Sequence, residues 1–162
     1  MAEPRPLTVT PPLPTSEQPH ITWGRLYGCT RGLAIARAAA AASGLSVVVA
    51  ADTHSARQLE AELEFFNPAQ AGRVLIFPDW ETLPYDVFSP HEDIVSQRLE
   101  TLYNLPALGS GVLIVPVTTL MQRLAPRSFL DQNSLMLAQG QRLERESMRH
   151  RMEDAGYSYV SQ

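Results

Sequence analysis

The chain has 162 residues, 44% of them hydrophobic, and a formal net charge of −4; that length holds one ordinary domain and the start of a second. All 13 basic residues are arginine, which excludes a Schiff-base lysine and a phosphate-loop lysine, and the negative balance opposes electrostatic nucleic-acid binding by the domain as a whole. Cys29 stands alone and fits a reducing cytoplasm, no apolar run is long enough for a membrane helix, and His20, His54, His91 and His150 are scattered without metal-ligand spacing.

Residues 1–20, rich in Pro, Ser and Thr and without an apolar signal core, read as a disordered or extended arm. Ile21–Cys29 then reads as a short strand leading into a turn at Gly28. Thr30 is a cap for an alanine-rich helix over 31–43, and Gly44 suits its end. Ser46–Ala51 is a continuous β-branched run, the pattern of a strand buried on both faces of a parallel sheet. Asp52 and Thr53 open the next helix, Ser55–Phe66. It turns Leu59, Leu63 and Phe66 inward and Glu60, Glu62 and Glu64 outward, and Asn67-Pro68 ends it.

Arg73–Phe77 is a second apolar strand. The acidic and aromatic loop that follows leads to the best-signalled helix start in the chain. Ser89 reads as its N-cap, Pro90 as its first residue and Glu92 as the capping-box acid. Val95, Leu99, Leu102 and Leu105 form the expected core face, and Pro106 the stop. Gly111–Val117 is a third buried strand. Thr118 reads as the cap of a short helix closed by Pro126. Ser134–Ala138 is a candidate strand, and Glu144–Ala155 an amphipathic helix with Met148 and Met152 inward. Gly156 caps it, and Tyr157–Val160 begins another strand.

Alternating strands and helices predict right-handed βαβ units, hence an α/β fold with a parallel sheet and helices on both faces. The pattern loosens between Pro126 and Gln141. Residues 21–126 therefore read as one α/β domain, and 127–162 as a linker and the start of a small α+β second domain.

Four groups carry candidate chemistry. The turn Gly28-Cys29-Thr30-Arg31-Gly32 sits where a phosphate-binding loop belongs, between a predicted strand and a helix. Leu33-Ala34 replace the Lys-Ser/Thr that such a loop needs for phosphate and Mg²⁺. Asp79, Glu81, Asp86, Glu92 and Asp93 lack a partner base or nucleophile at fixed spacing, so they read as a contact surface for a basic partner or for another domain. Trp80, Tyr85, Phe88 and Tyr103 read as packing and loop anchors; stacking on bases needs interleaved cations that this acidic loop lacks. Arg123, Arg127, Arg142, Arg145, Arg149 and Arg151 gather in the second half, as an exposed helix face or as partners for carboxylates and phosphates. No catalytic set and no metal set emerges.

The stretch from Phe77 to Pro106, with WETLPYDVFSPHEDI at its centre, followed by GVLIVPVTTLMQRLAP and GQRLERE, resembles the N-terminal region of bacterial transcription-repair coupling factors. That region is similar to UvrB: a degenerate copy of its first helicase-like domain and of its UvrA-binding domain. The resemblance implies that GCTRGLA stands where UvrB has a working Walker A loop. It implies a non-catalytic module acting in nucleotide excision repair through protein contacts, by recruiting UvrA and by autoinhibitory packing on other domains. ATP and Mg²⁺, RNA polymerase and DNA would be bound by parts of the family outside these residues. The UvrA-binding surface would open around Arg142–Gln162, making Arg142, Arg145 and Arg149 the candidate partner-binding residues. The alternative reading, a nucleotide-binding ATPase or helicase domain, is opposed by the missing lysine and by the lack of an Asp-Glu pair at a strand end.

Overall fold

Gly111–Pro116 (β3) is apolar throughout and is buried at every position. It is the middle strand of a three-stranded parallel sheet. The computed structural model describes residues 11–67, 72–83, 85–133, 139–154 and 157. Leu45–Ala50 (β1) pairs with β3 from Leu45 opposite Gly111 to Ala50 opposite Pro116. Arg73–Ile76 (β2) pairs on the other side, from Arg73 opposite Gly111 to Ile76 opposite Ile114. Gly111 is required where β2 and β3 begin: its φ is +134° and a Cβ there would stand 2.5 Å from the Arg73 carbonyl oxygen.

Two helices cover one face. Thr30–Ala41 (α1) and Thr53–Phe66 (α2) bring Ala36, Ala39, Ala56, Leu59 and Leu63 against Ala50, Ile76, Val112 and Ile114. Small alanines on α1 let the helix approach closely. Glu92–Asn104 (α3) covers the other face, with Leu102 and Leu105 against Phe77, Leu113 and Val115. A 3₁₀ turn over Leu105–Ala107 extends it past Pro106, and Val117–Leu120 (α4) follows β3 directly. The chain divides into two compact units at Leu124–Ala125. The second contains Arg127–Asn133 (α5) and Arg145–Asp154 (α6). Residues 11–20 carry no regular element; the Trp23 Nε1–H donates to the Pro12 carbonyl at 3.1 Å.

Several sequence expectations are corrected. No strand forms over 21–29, because Arg25 adopts a left-handed φ of +60° that breaks an extended ladder. β1 is an edge strand, so Val47 and Val49 are exposed where α3 does not reach, although their β-branched run suggested burial on both faces. Ser89 does not cap α3. The cap is His91, whose Nδ1 accepts from the Asp93 N–H at 3.3 Å, while Ser89 and Pro90 lie outside the helix. The inward stripe of α3 also differs: Leu99 is 45% exposed, whereas Arg98 and Thr101 are buried. Thr30 begins α1 and donates its hydroxyl to the Tyr27 carbonyl, and Cys29 holds the cap position without a side-chain bond. Thr118 likewise lies inside α4 and is spent elsewhere. Asp52 does cap α2, accepting from the Ser55 N–H at 2.6 Å. On α6, Met148 is half-buried and Met152 exposed. The strand expected over Ser134–Ala138 and the Gly156 cap lie outside the described residues.

Candidate functional site

Two places fall at positions where α/β folds put function. The first is the loop after β2, at the carboxyl ends of the strands, where ligands of open parallel sheets bind. Phe77 continues the pairing by donating its N–H to the Ile114 carbonyl at 2.8 Å. Pro78 is fully buried, and its carbonyl accepts from an Arg98 terminal nitrogen. The Arg98 guanidinium carbon lies 4.2 Å from the Phe77 ring centroid and 4.1 Å from that of Trp80. This arginine is only 2% exposed. Burial lowers its affinity for the proton, and the nearby Asp79 charge opposes that effect; a guanidinium stays charged at neutral pH all the same.

Asp79 ties the loop to α4. Its Oδ2 accepts from the Thr118 hydroxyl at 2.7 Å, and its Oδ1 from the Gln122 side-chain amide at 2.7 Å and the Trp80 N–H at 2.8 Å. Burial raises its pKa, but these bonds and the Arg98 charge outweigh it and hold the carboxyl below the usual range. The Thr101 hydroxyl, one turn beyond Arg98, shares its proton between the Gln97 carbonyl at 2.8 Å and the Ile76 carbonyl at 3.1 Å. Side chains of α3, α4 and the turn after α4 thus fasten the carboxyl end of β2 and the start of its loop.

Beyond Trp80 the loop turns outward. Glu81 and Tyr85 have φ of +58° and +83°. Asp86 closes a turn on Leu83, accepting its N–H at 2.7 Å and donating its own N–H to the Leu83 carbonyl at 3.1 Å. The result leaves Tyr85 104%, Val87 95% and Phe88 81% exposed. Phe88 and Tyr85 are therefore not the packing anchors that the sequence suggested; Trp80 is. The loop and the residues after α4 line an open cleft of about 660 Å³, with Trp80, Tyr85, Phe88, Met121 and Arg123 among its walls.

The five acids of this region do not converge. Asp79 is engaged by Thr118 and Gln122 and Asp86 by its own turn, and Asp93 is exposed. Glu81 and Glu92 are exposed. Among the described residues no three His, Cys, Asp or Glu side chains converge to hold a metal ion.

The second place is the turn before α1. Gly28 has a φ of +56°, Arg31 is exposed, and Gly32 is buried. Against Gly32 lies Glu62 of α2. A Cβ at residue 32 would stand 2.6 Å from the Glu62 Cβ and 2.6 Å from its Oε2. Glu62 is thus not turned outward as its spacing suggested. Its Oε1 accepts from Gln58, and its Oε2 is buried without a hydrogen-bond partner. A carboxylate occupies the neighbourhood of the helix start where a phosphate-binding loop would present positive potential.

In the second unit, Arg142, Arg145 and Arg149 are all exposed. Arg145 is the first residue of α6, and Arg142 precedes the helix. Arg149 donates from Nε to Glu153 at 2.9 Å; that bond raises the arginine's pKa and lowers the glutamate's. Sequence reasoning missed Arg98, Thr101 and Gln122, and read Thr118 only as a helix cap. The available signal was an arginine and a threonine at inward positions between Ile94 and Leu105.

No family model matches the chain. It is 46% identical over 139 residues to the transcription-repair-coupling factor of Escherichia coli, a stretch that covers 86% of this chain and 12% of that protein. Against the factor of Haemophilus influenzae it is 41% identical over 152 residues, covering 94% of this chain and 13% of the relative. Against that of Myxococcus xanthus it is 35% identical over 140 residues, covering 82% and 11%. The chain therefore spans about an eighth of the length of the curated relatives it matches most extensively.

Proposed function

Belonging with the transcription-repair-coupling factors as a homologue of one segment of them, the chain acts, we propose, as a non-catalytic interaction module in transcription-coupled DNA repair. The observation that carries the non-catalytic part is the contact between Gly32 and Glu62. A nucleotide site needs a cradle of N–H groups and a cation for the phosphates. Here the sequence has no lysine, and the cradle position is met by a carboxylate. The turn is a degenerate, UvrB-like loop that serves as a structural corner between α1 and α2. The runner-up, an ATPase or helicase domain, would have the exposed Arg31 but no lysine at this corner to meet phosphate.

The interaction part rests on homology and on the arginines of the second unit. Arg142, Arg145 and Arg149 recruit UvrA by pairing with carboxylates, which a planar guanidinium does with little loss of freedom. Packing on other regions of the longer protein restrains it. DNA, RNA polymerase, ATP and Mg²⁺ belong to those regions. The test is a surface-binding titration of purified UvrA against a full-length relative-sized protein carrying this segment, at low salt where charge pairs are least screened. Arg142→Glu, Arg145→Glu and Arg149→Glu together are expected to weaken binding by about tenfold or more. Unchanged affinity would remove these residues from the interface, and no binding by the unsubstituted protein would end the recruitment reading.

A further inference from the structure

We propose that β1 is a contact between two copies of this chain: it pairs with the β1 of a second copy, antiparallel about Val48, to make one continuous sheet. β1 ends the strand order, and among the described residues no backbone group bonds to its outer side. Every second residue of an edge strand directs its N–H and C=O away from its one neighbour, and such a row is a template for another strand.

The two edges of the sheet are not alike. β2 is four residues long, opens on the exposed Arg73 and runs through Phe77 into the buried Pro78. Short length, charge and proline are how natural sheets blunt an edge. β1 has none of them. It is six residues long, Leu-Ser-Val-Val-Val-Ala, without charge or proline, and its register with β3 runs one to one without a bulge. Val47 is 56% and Val49 52% exposed, at positions where an edge strand left open to water would carry charge. Leu120 and Leu124, also exposed, line a hollow of about 180 Å³ together with Val47. The valines therefore belong to a wider apolar surface, the kind that marks an interaction site.

The sequence of β1 suits its own copy. Antiparallel pairing about Val48 sets Val47 opposite Val49 of the second copy, and Ser46 opposite Ala50. Val47 and Val49 share a face of the strand, so two valine–valine pairs form there by direct cross-strand contact. Ser46 and Ala50, on the face that α1 and α2 cover, are small and leave room for the approach. The acid nearest the strand, Asp52, falls opposite Gly44 and not opposite its own copy, so like charges do not meet. Pairing about a two-fold axis uses up both β1 edges, and with β2 blunted the assembly stops at a dimer. This inference concerns the first unit and does not depend on recruitment through the arginines of the second.

The experiment is sedimentation equilibrium of the whole chain over a concentration series, with residue-resolved hydrogen exchange at its two ends. An interface this small, below the roughly 1,200 Å² of standard complexes, is expected to have a dissociation constant on the order of 10–100 μM. The β1 amides that do not bond to β3 should exchange fast in the dilute monomer and slow as the dimer forms. Val47→Lys with Val49→Lys sets ammonium groups opposite one another and is expected to weaken the dimer at least about tenfold. Val47→Lys with Val49→Glu sets each lysine opposite a glutamate of the second copy, and should dimerise at least about tenfold more tightly than the double-lysine chain. Phe65→Ser, at an exposed aromatic on α2, should leave the dimer unchanged. These side chains are exposed, and the melting temperature of each variant confirms folding. A monomer up to about 1 mM, β1 amides all protected in the dilute monomer because another segment of the chain covers the edge, undiminished pairing of the double-lysine chain, or no advantage of the lysine–glutamate chain would each overturn the proposal.

Discussion

Gly32 of α1 and Glu62 of α2 touch so closely that residue 32 has no room for a side chain: the position of its missing Cβ is 2.6 Å from the Glu62 Cβ. That contact sets the distance between two helices that share the core with β3. It also sets the chemistry of the turn, by aiming a carboxylate at the start of α1.

Gly32→Ala tests the contact. Alanine gains up to about 1 kcal/mol of helix propensity over glycine. The collision is with a Cβ, which cannot swing aside as a side-chain tip can, and overpacking costs roughly 1–3 kcal/mol. The clash wins, so a net loss of about 1 kcal/mol is expected in urea denaturation. A gain in stability would show that the helices are free to part.

Arg98 gives a second test. Its guanidinium meets two rings, a carbonyl and a nearby carboxylate. Desolvated cation–π contacts contribute up to about 2 kcal/mol, and a hydrogen bond from a charged donor about 1.5–3. Arg98→Leu keeps bulk but loses all of these, and is expected to destabilise the first unit by about 3 kcal/mol. Arg98→Lys keeps charge without the planar fork and should rescue less than half of it. Thermal unfolding followed by tryptophan fluorescence with Trp23 replaced by Phe, so that Trp80 alone reports, measures both; equal stability of the leucine variant would mean that the rings hold the loop unaided.

The start of α3 gives a third. Ser89 is exposed and outside the helix. Ser89→Ala is therefore expected to change the denaturation midpoint by less than about 0.5 kcal/mol, as surface substitutions do. Loss of about 1 kcal/mol, the usual cost of an N-cap, would return the cap to Ser89 and displace His91.

The parallel sheet was legible because β1, β2 and β3 are short apolar runs separated by helical spacing, which needs no tertiary information. The covering of β1 was not: Val47 and Val49 look as buried as Val112 and Ile114 until α3 is seen to lie over the far side. The α3 face failed for a related reason. Hydrophobic spacing ranks Leu99 above Arg98, yet two aromatic rings from another segment make an apolar home for a guanidinium. Ser89-Pro90 carries a strong cap signal, but helix ends are settled within a few residues by local backbone geometry, and His91 supplies an acceptor two residues later. The corner at Gly32 was half legible. The missing lysine could be read from sequence; the carboxylate that fills its neighbourhood comes from α2, thirty residues on.

Calorimetric titration of the chain with Mg·ATP decides whether this corner is structural and the module works without nucleotide. No saturable heat is expected up to about 1 mM ligand, where even a binding free energy near −4 kcal/mol would begin to register. A micromolar dissociation constant, about −8 kcal/mol, abolished by Arg31→Ala, would contradict it and restore the nucleotide-binding reading.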